Sequence, residues 1–280
     1  MKRVRKPAVA GMFYPSDAEE LEQTVRGLLD GVSIGIGPGN IIGLIAPHAG
    51  YVYSGGTAAA AYAQLRGTER SVVVVVSPSH REFFDGISVY PGDAYVTPLG
   101  EIPVAAGMRS RLAALMPGIL VSMKGHGTEH ALEVQLPFLQ CALGEFALLP
   151  LVIGNQSQEH CFALGAALAT LCRGTDALLV ASTDLSHFSA ADVAQRLDDV
   201  VAADIQAFDP ARLMLDLEAG TAEACGGGPV AAVLKACDML GARTPTVLSR
   251  SHSGMITGDH QSVVGYLSAV IQDIEDHGKN

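Results

Sequence analysis

The sequence predicts an α/β protein with a single domain over residues 1–280, in which helices cover both faces of a mainly parallel, mixed sheet. Apolar runs of strand length alternate with longer segments of helical pattern along the chain. Two of these runs, 41–46 and 72–76, are unbroken, and the second consists of five valines. Such runs are typical of strands that are buried on both faces of a parallel sheet. No repeat, low-complexity tract or linker divides the chain.

The first part of the chain contains a helix, two buried strands and an alanine-rich segment between them. Ser16 and Glu19 have the spacing of a capping box, which predicts a helix that begins here and runs to Asp30. A glycine-rich connection, a strand, a helix and the valine strand follow at 31–40, 41–46, 57–66 and 72–76. Two short strands at 86–90 and 95–97 are separated by proline-glycine turns and predict a small antiparallel excursion.

The remaining elements continue the alternation of helices and strands. Helices are predicted at 105–116, 130–143, 158–173, 190–208, 210–218 and 229–240. Strands are predicted at 146–153, 177–182, 246–251 and 263–270. This order favours helices on both sides of one sheet.

Composition excludes several classes of protein. The net charge of −11 argues against nucleic acid and anionic membrane surfaces as partners. With 49% hydrophobic and 17% charged residues, the chain is too apolar for disorder, and its composition is compatible with a buried homodimer surface. No apolar run approaches the roughly 18 residues that a membrane span needs. The basic start is followed by two prolines and no apolar core, so no secretory signal is expected.

The cysteines predict a reduced, cytoplasmic protein. Their number, five, is odd, and none forms a C-x-x-C pair. A chain of this length builds its own core, so a disulfide framework is not expected. Tryptophan is absent and aromatic residues make up 5%, which argues against an aromatic platform for carbohydrates or nucleic acids.

Polar side chains that interrupt the apolar pattern follow three of the predicted strands. His48 follows the strand at 41–46, His80 follows the valine strand, and Asp184 and His187 follow the strand at 177–182. In open α/β sheets, ligands bind beyond the carboxyl ends of the strands. If the three strands are parallel, these side chains converge on one site.

Cys225 is a further candidate, in the segment EACGGGP before the helix predicted from 229. The dipole at a helix start favours a thiolate, and the glycines allow close approach. Two histidines and a thiolate are suitable ligands for iron(II), copper or zinc. Asp184 could orient a ligand or bind water, and His187 could act as an acid or base.

Each of these residues has an alternative, purely structural interpretation. A histidine after a strand can be a structural hydrogen-bonding group, and a lone cysteine is often a small buried residue. The segment with Glu129, His130 and Glu133 is either a solvent-facing helix start or a pocket wall. His252 follows a strand and can face the same rim of the sheet.

Seven motifs resemble the Memo family, also called AmmeMemoRadiSam system protein B. They occur in the family's order and span nearly the whole chain: KPAVAGMFYPSD, LIAPHAGYVYSG, VVVSPSH, TEHALEVQLPFL, ASTDLSHF, EACGGGP and SGMITGDHQSVVGY. The resemblance implies a fold like that of the class III extradiol ring-cleaving dioxygenases, which hold non-haem iron(II) with two histidines and a carboxylate. Carried over to this chain, it implies metal ligands at His48, His80 and Cys225, with Asp184 and His187 in the same pocket.

The sequence departs from the expected patterns at two positions. A cysteine stands where the dioxygenases use a carboxylate, so ring cleavage does not follow from the fold. Met255 occupies a position where a polar or acidic residue is expected, which leaves the role of its loop open.

Three functions are compatible with these residues. The first is an oxidoreductase that uses iron(II) or copper, with zinc as a further candidate, on an unidentified small-molecule substrate. The second is a cysteine hydrolase with Cys225 as nucleophile, a histidine as base and Asp184 as orienting group. The third is a non-catalytic metal-binding or partner-binding protein. The family's other name implies that its partners would be a radical-SAM protein and a companion protein.

Overall fold

The computed structural model describes residues 2–33, 35–37 and 39–273. The strands β1 to β12 span Val4–Arg5, Asn40–Ala46, Val72–Pro78, Ile87–Val89, Ala94–Thr97, Gly100–Pro103, Leu120–Val121, Ala147–Ile153, Leu178–Ser182, His187–Ser189, Thr244–His252 and Val263–Asp273. The helices α1 to α9 span Ala18–Asp30, Tyr51–Tyr62, Ala106–Leu115, Gln135–Leu143, Gln158–Cys172, Ala191–Gln206, Pro210–Ala219, Gly227–Leu240 and Gly254–Thr257. Within these ranges no helix is long and apolar enough to cross a membrane.

The larger sheet is mixed, with a parallel centre. Its order is β10-β12-β2-β9-β3-β8-β4-β7, and β11 also pairs with β12. The central strands β2, β9, β3 and β8 are parallel to one another. At the margins, β12 runs antiparallel to β2, and β4 runs antiparallel to β8. The predicted fold class, a mainly parallel mixed sheet with helices on both faces, is confirmed.

The valine strand shows how the two faces of this sheet are covered. Val74 and Val76 pack into the core on one face, with residues of α5 and α8. Val73 and Val75 pack into the core on the other face, with residues of α1, α2 and α4. Successive side chains of a strand point to opposite faces, so a central strand needs apolar residues at every position. This requirement explains the five consecutive valines.

A smaller sheet has the order β1-β5-β6, and its β5-β6 pair is antiparallel. This pair confirms the predicted antiparallel excursion for the strand at 95–97. The strand predicted at 86–90 does not belong to it, because β4 joins the larger sheet beside β8. All three residues of β4 are buried, as expected for a strand within a covered sheet.

Three predicted helix starts are wrong. Asp17, and not Ser16, caps α1, because the Asp17 side chain accepts a hydrogen bond from the backbone N–H of Glu20. Helix α2 begins at Tyr51, six residues before the predicted start (57 − 51 = 6). Helix α4 begins only at Gln135, so the predicted start at 130 lies in the preceding turns. The short elements β1, β6, β7, β10 and α9 have too few residues to show a periodic pattern and were not predicted.

Candidate metal centre

The carboxyl ends of three adjacent parallel strands place the predicted site residues. In the sheet, β9 lies between β2 and β3 and is parallel to both. His48, His80 and Asp184 each lie two residues beyond the last residue of β2, β3 and β9, respectively. The sheet therefore brings to one edge three side chains that are far apart in sequence, as the strand-end argument predicts.

His48 is held by a hydrogen-bond arrangement that determines which ring nitrogen carries the proton. It is 1% exposed, and its Nδ1 lies 2.8 Å from Oγ of Ser182. Ser182 donates its only hydroxyl hydrogen to the carbonyl oxygen of Ala131, and its oxygen also accepts from Nε2 of Gln135. The His48 ring must therefore donate through Nδ1, which leaves the lone pair on Nε2. That Nε2 atom faces the sulfur of Cys225 at 3.1 Å.

Cys225 reaches this position because its loop is pressed against the end of β9. A Cβ atom on Gly226 would lie 2.1 Å from the carbonyl oxygen of Ser182, so only glycine allows this approach. The backbone N–H of Cys225 donates to the carbonyl oxygen of Asp184 at 3.2 Å. The backbone N–H of Asp184 in turn points at Sγ of Cys225 at 3.3 Å. The strand end thus fixes both the loop and its sulfur.

Burial and the following helix start act in opposite directions on the thiolate expected at Cys225. Burial raises the pKa of the Cys225 thiol well above its usual range, and the nearby charge of Asp184 raises it further. The helix that begins at Gly227 favours the thiolate, whereas loss of hydration around the partly buried sulfur favours the thiol. Burial therefore acts against the thiolate that the helix start favours, and the thiolate at Cys225 stays a prediction.

His80 is more exposed to solvent than His48. Its side chain is 28% exposed, and its Nδ1 lies 3.0 Å from Oε1 of Glu129. The centroid of the His130 ring lies 4.8 Å from that of the His80 ring and 5.4 Å from that of the His48 ring. The ring of Phe13 packs against that of His130, with centroids 4.8 Å apart.

Glu129 is 2% exposed and Glu133 is fully buried, so this segment forms a pocket wall and not a solvent-facing helix start. Burial by itself would raise the pKa of Glu129. Hydrogen bonds from His130 and His80 outweigh that effect and hold the pKa well below its usual range.

Donor atoms of His48, His80 and Cys225 all lie within 4.8 Å of one another. These are the three residues that the family resemblance implies as ligands. A second group, His80, Glu129 and His130, overlaps the first through His80.

Asp184 and His187 lie beside these residues in different environments. Asp184 is buried and accepts a hydrogen bond from the backbone N–H of His48 at 2.7 Å, while its Oδ2 stays 4.0 Å from the ring. Asp184 therefore holds the main chain of His48 and not its imidazole. Burial raises the pKa of Asp184 to about 6. The side chain of His187 is 28% exposed, and its Nδ1 lies 3.7 Å from Oε1 of Glu223.

Neither of the other candidate loop residues belongs to a group of possible metal ligands among the described residues. The ring of His252 packs against that of His260, with centroids 5.4 Å apart. Met255 lies in the short helix α9 and is 63% exposed. Sequence reasoning missed Ser182, the hydroxyl partner of His48, because the last residue of a buried strand carries no distinctive pattern.

Comparison with known proteins identifies the family. Residues 5–270 match the family described as Memo-like protein. The chain belongs to the Memo family, as the motifs predicted.

Relatives named "MEMO1 family protein" match the chain over nearly its whole length. The relative from Methanobrevibacter smithii is 34% identical, covering 96% of this chain and 100% of its own. The relative from Thermotoga maritima is 37% identical, covering 95% and 99%. A solved structure, "uncharacterized protein JW3007 from Escherichia coli K12", covers 81% of this chain and 99% of its own with a TM-score of 0.58. At 21% identity, this likeness concerns the fold alone.

Proposed function

We propose that this Memo-family chain binds non-haem iron(II) or copper, with zinc as a further candidate, through His48, His80 and Cys225. The observation that carries the proposal is the clustering of two imidazoles and a thiol, with donor atoms within 4.8 Å, at the carboxyl edge of the sheet. Imidazole and thiolate are ligands that suit these metals.

The chemistry of the residues fits a cation. The lone pair on Nε2 of His48 and the sulfur of Cys225 face each other over 3.1 Å in a partly buried environment. The raised pKa of the thiol means that metal binding would release its proton, and the charge of the metal would replace it. Thiolate in place of a carboxylate makes the donor set softer than that of a 2-His-1-carboxylate site.

We further propose an oxidoreductase activity, with a dioxygenase-like architecture, on a small-molecule substrate. Iron or copper, when bound, supplies electron transfer and Lewis acidity. Among the nearby residues, His187 is the best placed to exchange a proton with a substrate, because its ring is partly exposed at the rim. Asp184 has a different role, since it is buried and holds the backbone of His48.

The experiment is metal analysis by mass spectrometry on protein purified without a chelator or histidine tag. We expect near-stoichiometric iron or copper in the wild type and its loss in His80→Ala and Cys225→Ser. The matched controls His260→Ala and Cys141→Ser remove one residue of each type outside the cluster and should retain the metal. Absence of metal after anaerobic reconstitution, or equal contents in all variants, would contradict the proposal.

A cysteine hydrolase is the second candidate, because the 3.1 Å contact between Cys225 and His48 is also that of a nucleophile and its base. Two observations weigh against it. The thiol pKa is raised, and Ser182, not Asp184, occupies Nδ1 of His48. We expect iodoacetamide to alkylate Cys225 of the metal-free protein at neutral pH more slowly than free cysteine, as followed by peptide mass spectrometry. Faster alkylation would favour the hydrolase.

A further inference from the structure

Glu129 is a buried carboxylate that accepts four hydrogen bonds. Its Oε1 accepts from Nδ1 of His80 at 3.0 Å and from the backbone N–H groups of His130 and Ala131 at 2.9 Å each. Its Oε2 accepts from the backbone N–H of His80. Three of these donors converge on Oε1 and one reaches Oε2, so the protein uses most of the acceptor capacity of the ionised carboxylate. Glu129 is therefore bonded to His80 through both of its oxygen atoms, and it also lies in a group of possible metal ligands.

The same contacts determine the state of His80. An ionised carboxylate only accepts hydrogen bonds, so the His80 ring must carry its proton on Nδ1 and present the lone pair of Nε2. The ring and the main chain of His80 are bonded to one carboxylate, which restrains both the position and the rotation of the ring. This restraint matters because the His80 side chain is 28% exposed and water competes for its nitrogen atoms.

We propose that Glu129 is a positioning residue for His80, which fixes the tautomer and orientation that make Nε2 the metal-binding atom. This inference rests on the proposed metal site and adds a residue that acts through one of its ligands. Partners of this kind are common around metal-bound histidines, and their loss typically weakens metal affinity about 10–100-fold.

The segment that carries Glu129 is itself fixed from the amino-terminal side. Arg5 is 4% exposed and donates to the carbonyl oxygens of Glu129 at 2.6 Å and His126 at 3.0 Å. It also pairs with the buried carboxylate of Glu133. That carboxylate accepts a hydrogen bond from the hydroxyl of Tyr14 at 2.5 Å. The position of Glu129 is thus determined before any metal binds, as a positioning role requires.

The first test is ¹⁵N NMR of the imidazole nitrogens in metal-free wild-type protein at mildly alkaline pH, with His80→Ala for assignment. We expect His80 to carry its proton on Nδ1. In Glu129→Gln, the neutral amide has one accepting oxygen, and its NH₂ group faces backbone donors. We expect a mixture of His80 tautomers and a 10–100-fold increase in the zinc(II) dissociation constant.

The matched control is Tyr14→Phe, which removes one of several hydrogen bonds to Glu133 and leaves in place both the His80 contacts and the contact of Arg5 with the Glu129 carbonyl. It should leave the His80 tautomer and the zinc affinity unchanged, whereas a merely structural role of Glu129 would make the two variants alike. If Glu129→Gln does not fold, Glu129→Asp replaces it. That side chain is one methylene shorter, so we expect it to release the His80 ring and give the same mixture.

Two results would overturn the proposal: a wild-type His80 with its proton on Nε2, or an unchanged tautomer in the folded Glu129 variant. Both are read in metal-free protein. A wild type that binds no zinc would refute the proposed metal site but not the positioning of His80.

Discussion

The two histidines of the candidate metal centre are held in different ways. His48 is 1% exposed, and its ring is fixed by the neutral hydroxyl of Ser182. His80 has a side chain that is 28% exposed, and its ring is held by the charged carboxylate of Glu129. In both cases the partner occupies Nδ1 and leaves the lone pair of Nε2 as the proposed metal-binding position. A neutral partner suffices where water is excluded, whereas a half-exposed ring needs a charge-assisted hydrogen bond.

The largest expected effect is the loss of zinc binding when either histidine is removed. The two variants should differ in whether added imidazole restores that binding, because the two histidines differ in exposure to solvent. Loss of either imidazole removes one of three proposed ligands, so His48→Ala and His80→Ala should each weaken zinc(II) binding on the order of 100-fold or more. Added imidazole can reach the exposed position of His80 but not the buried one of His48. We therefore expect imidazole to restore binding partly in His80→Ala alone, as measured by competition with a chromophoric chelator. Equal rescue of both variants would contradict the comparison.

A third histidine, His126, lies outside the proposed ligand set and affects how the stability of the fold depends on pH. Its Nδ1 lies 2.6 Å from the hydroxyl of Tyr95, and burial lowers its pKa to about 3. Between that value and the usual pKa near 6.5, the unfolded chain binds the proton and the folded one does not. The stability that this histidine contributes is therefore lost as the pH falls, by about 3 kcal/mol between pH 6.5 and 4.

The measurement is denaturant unfolding of the wild type and His126→Asn over this pH range. Burial raises the pKa of Asp184 and Asp198, which acts in the opposite sense, so the readout is the difference between the two proteins. The wild type should lose more stability on acidification than the variant. Parallel curves would show that His126 already takes up its proton in the folded state.

Removal of the Ser182 hydroxyl should have a smaller effect, a loss of folding stability, which tests how the buried His48 is held. Ser182→Ala leaves the Nδ1–H of His48 and the amide of Gln135 without this partner, which should cost about 1–3 kcal/mol of unfolding free energy. The matched control is Ser77→Ala, since Ser77 is equally buried and its hydroxyl has no hydrogen-bond partner among the described residues. Thermal unfolding should rank Ser182→Ala well below Ser77→Ala in stability. Similar stabilities would contradict the role of Ser182.

Much of the fold was predictable, because the central strands are covered on both faces and leave unbroken apolar runs in the sequence. The same runs located the strand ends, and the parallel order of β2, β9 and β3 accounts for the approach of His48 and His80. The family resemblance predicted that Cys225 lies beside these two histidines. The physical cause is Gly226, which lets the loop of Cys225 approach the backbone of Ser182 closely.

The partners of the proposed ligands were not predictable in the same way. Glu129 follows His80 by 49 residues, and nothing in the local pattern distinguishes its carboxylate from one at an exposed helix start. The raised pKa of Cys225 depends on burial by segments distant in sequence, whereas the predicted helix dipole is a local property. Interactions of this kind become visible only when the segments are assembled.

The most direct test of the metal centre is X-ray absorption spectroscopy at the zinc edge on zinc-loaded protein, which reports the atoms bound to the metal. We predict one sulfur neighbour at about 2.3 Å and two imidazole nitrogens at about 2.0–2.1 Å. The sulfur contribution should disappear in Cys225→Ser. A wild-type spectrum with only nitrogen and oxygen neighbours, or a sulfur signal that survives in Cys225→Ser, would contradict the assignment of His48, His80 and Cys225 as the metal ligands.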